Sequence, residues 1–299
     1  MSPRAPLIVV GSVNMDLLFT GLAAFPRPGE TVSAEHFRIA PGGKGANQAA
    51  AAGRLGADVR LVAAIGADDL GDQAVAALAA DGVDLAHVRR VAEPTGVAAV
   101  VVDATGENSI IVTPGANATL TGVDAAAIAA RYAGSSAVVL ACLEVPLDTV
   151  TEWARLARAN GWTFVLNPAP APSVPLPPQL LALVGVLTPN ETELATLGSI
   201  ADLQAAGVGA VIVTRGGDGA DLHVSGREVV HQPAFPAAPI DTTGAGDAFN
   251  GALATALAEG RDLVDALAFG AATGALSTRG FGARDGLPTR EEVTALRDR

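Results

Sequence analysis

The sequence predicts a three-layer α/β/α sandwich with a mostly parallel central sheet and a small β-sheet lid, one domain over residues 1–299. Three observations carry that reading. Short β-branched runs alternate with Ala/Leu-rich stretches of helical spacing. Glycine-rich turns open helices where strands end, the place where α/β sheets hold ligands. Two segments, about 15–40 and 97–113, are strand-like with no helix between their parts.

Taken in order, buried strands are expected at 7–13, 59–65, 137–143, 163–167, 184–188 and 210–214. Helices are expected at 45–55, 70–80, 124–132, 147–160 and 191–197, and an apolar one follows Asp247. Such alternation implies parallel strands covered on both faces. The segments at 15–40 and 97–113, the second with a turn at 103–107, form the projecting lid; two edge strands of the main sheet are the alternative. The Pro-rich 168–178 stretch is an ordered surface connection.

Composition is globular, with 49% apolar and 17% charged residues and 34 glycines. The excess of 31 acidic over 19 basic residues, net −12, argues against nucleic-acid or anionic-membrane partners. The lone Cys142 lies in an apolar run and is expected to be a buried, inert thiol. The apolar stretch at 7–10 is too short for a signal peptide or a membrane span, so a soluble, cytoplasmic protein is expected. Four scattered histidines show no metal-ligand spacing.

The most informative segment is Asp241-Thr-Thr-Gly-Ala-Gly-Asp247 running into Ala248-Phe-Asn-Gly-Ala-Leu. Its glycines open a helix, so several unpaired backbone N–H groups at the helix start can receive an anion at the positive end of the helix dipole. Asp247 follows as a carboxylate that could take a proton. A base beside an anion hole is what phosphoryl transfer to a hydroxyl requires, although an ordinary capped helix start has the same composition.

Four further motifs could carry chemistry. Asn14 and Asp16, two apart after the first strand, share a side of an extended chain and suit a polyol, or simply form a turn. Pro41-Gly-Gly-Lys-Gly-Ala-Asn47 lets the backbone at Gly42 and Gly43 approach a ligand, with Asn47 in the first helical turn aimed at the same spot; its spacing is not that of a Walker loop, and a plain cap remains open. Glu144 follows a buried strand. Asn190 and Glu193, three apart at a helix start, suit Mg²⁺ or the helix dipole. Thr214-Arg-Gly-Gly-Asp-Gly219 could admit phosphates or make a hairpin.

Together, Gly42-Gly-Lys-Gly-Ala-Asn-Gln48 and Asp241-Thr-Thr-Gly-Ala-Gly-Asp247 resemble the two signatures of the ribokinase-like (PfkB-type) carbohydrate kinases, and the resemblance covers nearly the whole chain. Leu143-Glu-Val-Pro146 and Asn167-Pro-Ala-Pro-Ala171 are most similar to the ribokinase branch. The resemblance implies an ATP-dependent kinase acting on a sugar hydroxyl, O5 of D-ribose first, with another pentose, deoxyribose or a nucleoside as the alternative and a non-catalytic sensor as a remote one. It implies that Asn14, Asp16, Gly43, Lys44, Asn47 and Glu144 hold the sugar, that Asp247 is the base, and that the Gly244, Ala245 and Gly246 amides form the anion hole. It further implies that Asn190, Thr214, Gly216, Gly219 and Gly246 border ATP, and that Glu193 and Asn190 organise Mg²⁺. A monovalent cation, K⁺, is implied at Asp241, Thr243, Ser277, Gly280, Gly282 and Gly286. A hydroxyl residue is common at the last position, and Gly286 removes that ligand. A homodimer through the lids is implied as well.

Overall fold

The structure, a computed structural model, describes residues 5–105, 107–122 and 125–298. Thirteen strands follow in chain order among them: β1 (Leu7–Val10), β2 (Asn14–Leu22), β3 (His36–Gly42), β4 (Val59–Gly66), β5 (Asp84–Val91), β6 (Gly96–Asp103), β7 (Asn108–Thr113), β8 (Val138–Ala141), β9 (Thr163–Leu166), β10 (Val186–Leu187), β11 (Ala210–Thr214), β12 (Ala220–Val224) and β13 (Val230–Gln232). The α-helices are α1 (Lys44–Arg54), α2 (Asp69–Ala80), α3 (Ala125–Ala130), α4 (Leu147–Asn160), α5 (Pro178–Leu181), α6 (Glu191–Leu197), α7 (Ile200–Ala205), α8 (Ala245–Ala258), α9 (Leu263–Ser277), α10 (Gly282–Asp285) and α11 (Arg290–Arg297). Gly106, in the turn expected at 103–107, and Asp124, at the head of the helix expected at 124–132, lie outside the described residues.

Nine strands form one sheet in the order β13-β12-β11-β10-β9-β8-β1-β4-β5, antiparallel only at β11–β12 and β12–β13. Alternation along single strands explains the layers. Leu7 and Val9 of β1 enter one apolar core while Ile8 and Val10 enter the other. Val138 and Leu140 against Val139 and Ala141 repeat the split in β8. The first core is closed by α1, α2, α8, α9 and α11, the second by α3, α4, α5 and α7. A sheet buried on both faces needs apolar residues at every position, which is why these strands read as continuous runs.

The remaining four strands form the lid, ordered β3-β2-β6-β7. Register assigns each residue to a face. Leu17 pairs with Ile39 and Ala99, Phe19 with Phe37 and Val101, and Ala99 with Ile111. Asp16 pairs with Ala40 and Ala98, and Val100 with Ile110, on the opposite face.

The structure corrects several expectations. The first strand stops at Val10 rather than residue 13, so Asn14 and Asp16 belong to the lid strand β2 and not to the end of β1. The reason is steric: a Cβ on Gly11 would lie 2.7 Å from the Gly45 Cα, and the Ser12 carbonyl accepts the Ala46 N–H at 2.8 Å. The chain is thus held by the first turn of α1 and leaves the sheet. The alternative of two edge strands on the main sheet is overturned by the separate lid. Edge strand β5, strands β12 and β13, and helices α9 and α11 have no counterpart in the sequence reading. Helix α9 is two-thirds Ala, Gly and Leu, so it lacks the amphipathic stripe that marks a surface helix.

Candidate functional site

The residues singled out converge on the carboxyl ends of the parallel strands. Ser12 follows β1, Glu144 follows β8, Asn167 follows β9, Asn190 follows β10, and Thr214 ends β11. Because β1 lies between β4 and β8, the sheet's connections diverge there, leaving a crevice above the strand ends. The two glycine-rich turns enter α1 and α8 over that crevice.

On one side a polar cluster joins α1 to α8. Asn47 Nδ2 donates to Asp247 Oδ2 at 3.0 Å, and Gln48 Nε2 donates to Asp247 Oδ1 and Asn167 Oδ1, each at 3.0 Å. Glu144 Oε2 accepts the Lys44 N–H at 3.0 Å and the Ser12 hydroxyl. Asn117 Nδ2 donates to Asn14 Oδ1 at 2.7 Å. The helices approach closely because α8 carries glycine at the crossing: a Cβ on Gly251 would lie 2.4 Å from the Gln48 carbonyl.

Electrostatics single out two carboxylates. Burial pushes Asp247 above the usual carboxylate range, against the opposing Lys44 ammonium and the amides of Asn47 and Gln48. Asp16 is raised from 3.8 to about 6, by burial first and by Glu144 second, with Arg284 acting against them. Burial works against the Lys44 ammonium, yet Asp247 and Glu144 hold it above its ordinary value. A buried base with a raised pKa and an adjacent cation is suited to accept a proton near neutral pH.

On the other side lies a cavity of about 500 Å³. Thr214, Gly216, Gly219 and Gly246 line it, as does Phe235. Asn190 is not in its wall but bridges to Thr214. A Cβ on Gly246 would meet nothing within 4 Å, so the start of α8 is open there, while the next residue, Asp247, is 8% exposed among the amides. Two consecutive residues therefore face two different compartments. The turn is tight: Gly244 has φ 77°, and a Cβ there would lie 2.6 Å from the Ala283 Cα. Of the three amides expected to receive an anion, that of Ala245 already donates to the Thr242 carbonyl at 3.2 Å. Thr214–Gly219 forms the tip of the β11–β12 hairpin, and Thr214, Gly216 and Gly219 also line the cavity.

Donor chemistry decides which cation each candidate site fits. Asn190 and Glu193 form a capping box, Asn190 Oδ1 accepting the Glu193 N–H at 2.8 Å and Glu193 Oε2 the Asn190 N–H at 2.9 Å. Burial raises Glu193, opposed by the Asn190 amide and Lys44. Among the described residues no group of three or more His, Cys, Asp or Glu could hold a metal. The pair thus fits an Mg²⁺ held mainly by phosphates and waters. Asp241 accepts the N–H groups of Thr243 at 2.9 Å and Gly282 at 2.8 Å; burial opposes its ionisation, but these bonds hold it below the usual range. An ionised carboxylate on a carbonyl-rich loop fits a monovalent cation. Gly286 cannot carry a side-chain ligand, since a Cβ would lie 1.9 Å from the Ser277 carbonyl oxygen.

Sequence reasoning missed Ser12, Gln48, Asn117, Asn167 and Arg284 as site residues. Gln48 and Asn167 stood in quoted motifs without roles, and nothing in the sequence marks Asn117 or Arg284. It also missed Ala271, Gly274, Ala275 and Thr278, which line the cavity from α9 and the residue after it. Their 0, 3, 4, 7 spacing of small residues was a usable signal. His36 and His231 are exposed and His87 meets Tyr132, away from the site. Cys142 is buried, its thiol pushed up to about 11 by burial and Glu144.

Known proteins match this chain over nearly its whole length. The family model described as pfkB family carbohydrate kinase matches residues 4–290. Ribokinase from Haemophilus influenzae is 39% identical over 303 residues, covering 97% of each chain. Ribokinase from Bacillus subtilis is 40% identical over 293 residues, covering 97% of this chain and 98% of the relative. The structure of Arabidopsis thaliana ribokinase complexed with ribose and ATP superposes with a TM-score of 0.91 at 34% identity, covering 99% of this chain and 100% of that one.

Proposed function

Because the chain belongs to the pfkB family of carbohydrate kinases, we propose that it transfers the γ-phosphoryl group of ATP to O5 of D-ribose, yielding ribose 5-phosphate and ADP. One observation carries this reading: Asp247, a buried carboxylate with a raised pKa, faces a cluster of amides and carboxylates, while its neighbour Gly246 faces a cavity of nucleotide size. The relatives named ribokinase, and the one complexed with ribose and ATP, support the choice of sugar and nucleotide.

The residues divide the work. Asn14, Asp16, Gly43, Lys44, Asn47 and Glu144 bind the sugar, their donors and acceptors matching adjacent hydroxyls. Asp247 takes the proton from the attacking hydroxyl, oriented by Asn47 and Gln48. The Gly244 and Gly246 amides at the start of α8 steady the charge that develops on the phosphoryl group, the Ala245 amide being engaged by the Thr242 carbonyl. Thr214, Gly216 and Gly219 border the nucleotide with Asn190 behind them. Mg²⁺, organised through Glu193 and Asn190, neutralises phosphate charge when bound, and K⁺ at the Asp241 loop supports the same region.

The lid's outer face, with Phe37 57% and Ile111 68% exposed beside Leu17, Phe19 and Ile39, is the homodimer interface, since a monomer would leave it as an apolar patch. The enzyme works in the cytoplasm, where ATP is available; among the described residues no helix is long and apolar enough to cross a membrane. A coupled ADP-release assay across ribose, deoxyribose, fructose and adenosine tests the whole reading. Ribose should give the highest kcat/KM, and a higher value for any other acceptor overturns it.

A further inference from the structure

Arg284 is an unusual residue to find buried. It is 5% exposed, on the four-residue helix α10, between the lid, α1 and α2. Nε donates to Asn47 Oδ1 at 2.9 Å and Nη2 to the Gly42 carbonyl at 3.2 Å. Nη1 makes no hydrogen bond and stands 4.0 Å from Asp81 Oδ2, which Arg54 also engages, at 2.7 Å through Oδ1. A guanidinium with an unsatisfied corner in a dry setting stabilises a fold poorly, and an apolar side chain of similar volume would serve packing better. Its partners suggest a different use, because both belong to the turn expected to meet the sugar.

The two bonds hold the Asn47 amide from the side opposite Asp247 and the Gly42 carbonyl from behind the turn. A guanidinium only donates and a carboxylate only accepts. With Oδ1 of Asn47 taken by Arg284, the amide has one arrangement, Nδ2 towards Asp247, and a flipped amide would set donor against donor and acceptor against acceptor. At Gly42 the bond holds the carbonyl towards Arg284. In a trans peptide the following N–H points the opposite way, so the Gly43 N–H is directed away from Arg284. Gly43 sits at φ 86°, and a Cβ there would lie 2.6 Å from the Asn14 amide nitrogen, so the turn accepts only glycine. The same short helix is anchored at both ends: Gly282 N–H donates to Asp241, and Asp285 pairs with Arg38 of the lid at 3.1 Å.

We propose that Arg284 is a positioning residue of the sugar site, setting the Asn47 amide towards the base and the Gly42–Gly43 peptide for the sugar from the far side of the turn. The proposal rests on the reading of this site as a sugar kinase. It acts on sugar binding and alignment, not on the nucleotide, whose cavity lies beyond α8.

The test compares wild type with R284Q and R284K in steady-state kinetics, with melting temperature measured alongside. R284Q should raise the sugar KM about tenfold or more and leave the ATP KM within about twofold, the loss expected when a charged hydrogen-bonding group is removed. R284K keeps the charge but cannot reach both acceptors as a rigid fork, so it should recover stability without recovering the sugar KM. An arginine that only held the fold together would lower the melting temperature or the active fraction and leave the sugar KM unmoved; that result overturns the proposal. Should R284Q fail to fold, R284K alone decides, an unchanged sugar KM being the contrary outcome. Wild-type turnover is the control: no turnover of any sugar overturns the function itself, whereas normal turnover with an unchanged KM in the variants overturns Arg284 alone.

Discussion

Asn47 and Asp247, 200 positions apart, meet through a 3.0 Å hydrogen bond between the first turns of α1 and α8. Each lies at the start of a helix opened by a glycine-rich turn, and each is less than one-tenth exposed. The bond joins the group assigned to the sugar to the group assigned to the proton.

Replacing the base without changing its shape tests that assignment. Asp247→Asn should lower kcat by about 10²–10⁴-fold while sugar affinity changes little. Single-turnover ADP formation measures it, and a rate within tenfold of wild type would reject Asp247 as the base.

The raised pKa of Asp16 links activity and stability to pH with opposite signs. Its folded value of about 6 exceeds the ordinary 3.8, so the native state holds the proton more tightly than the unfolded chain. Stability contributed by this group is therefore full below about 4 and lost as pH rises through about 6. Hydroxyl binding needs the ionised acceptor, so sugar kcat/KM should rise across the same window. Asp16→Asn should flatten the stability slope and lower kcat/KM above about pH 6, the difference from wild type shrinking as pH falls; a slope unchanged in the variant would assign it to other groups.

Gly251 sets the approach of α1 to α8. Gly251→Ala places a methyl 2.4 Å from the Gln48 carbonyl and 2.9 Å from Ala51 Cβ, so the helices must part. Urea denaturation should show a loss of about 1–3 kcal/mol, and turnover should fall because Gln48 and Asn47 move from Asp247. A fully active, equally stable variant would contradict the close contact.

Gly246 offers the opposite case. A side chain there enters open space in the cavity, so Gly246→Val should fold with native stability. Its ATP KM should rise about tenfold or more through lost anion contacts, with sugar binding unaffected. Equal changes for both substrates would place Gly246 elsewhere than at the nucleotide.

Register separates the lid's faces, and light scattering can read the result. Ile39→Asp, on the face with Phe37 and Ile111, should halve the mass from dimer to monomer. Val100→Asp, on the face with Asp16, should leave the mass unchanged and lower sugar kcat/KM. A monomeric wild type would remove the dimer altogether.

The layered fold, the lid and the two helix-opening turns are legible in the amino-acid sequence alone. Those features are local: β-branched runs, helical spacing and glycines at forced backbone positions act over a few neighbouring residues. The spans of β11, α4 and α6 were read to the residue for that reason. Packing in three dimensions is what puts Asn14 and Asp16 in the lid, turns Gly246 and Asp247 to different compartments, and brings Arg284, Asn117 and Gln48 into the candidate site. Their significance comes from partners up to 242 positions away, such as the Gly42 carbonyl that Arg284 holds. A hydrogen bond at that separation leaves no periodicity or spacing in the chain, because packing of the helices against the sheet, and not local preference, brings its ends together.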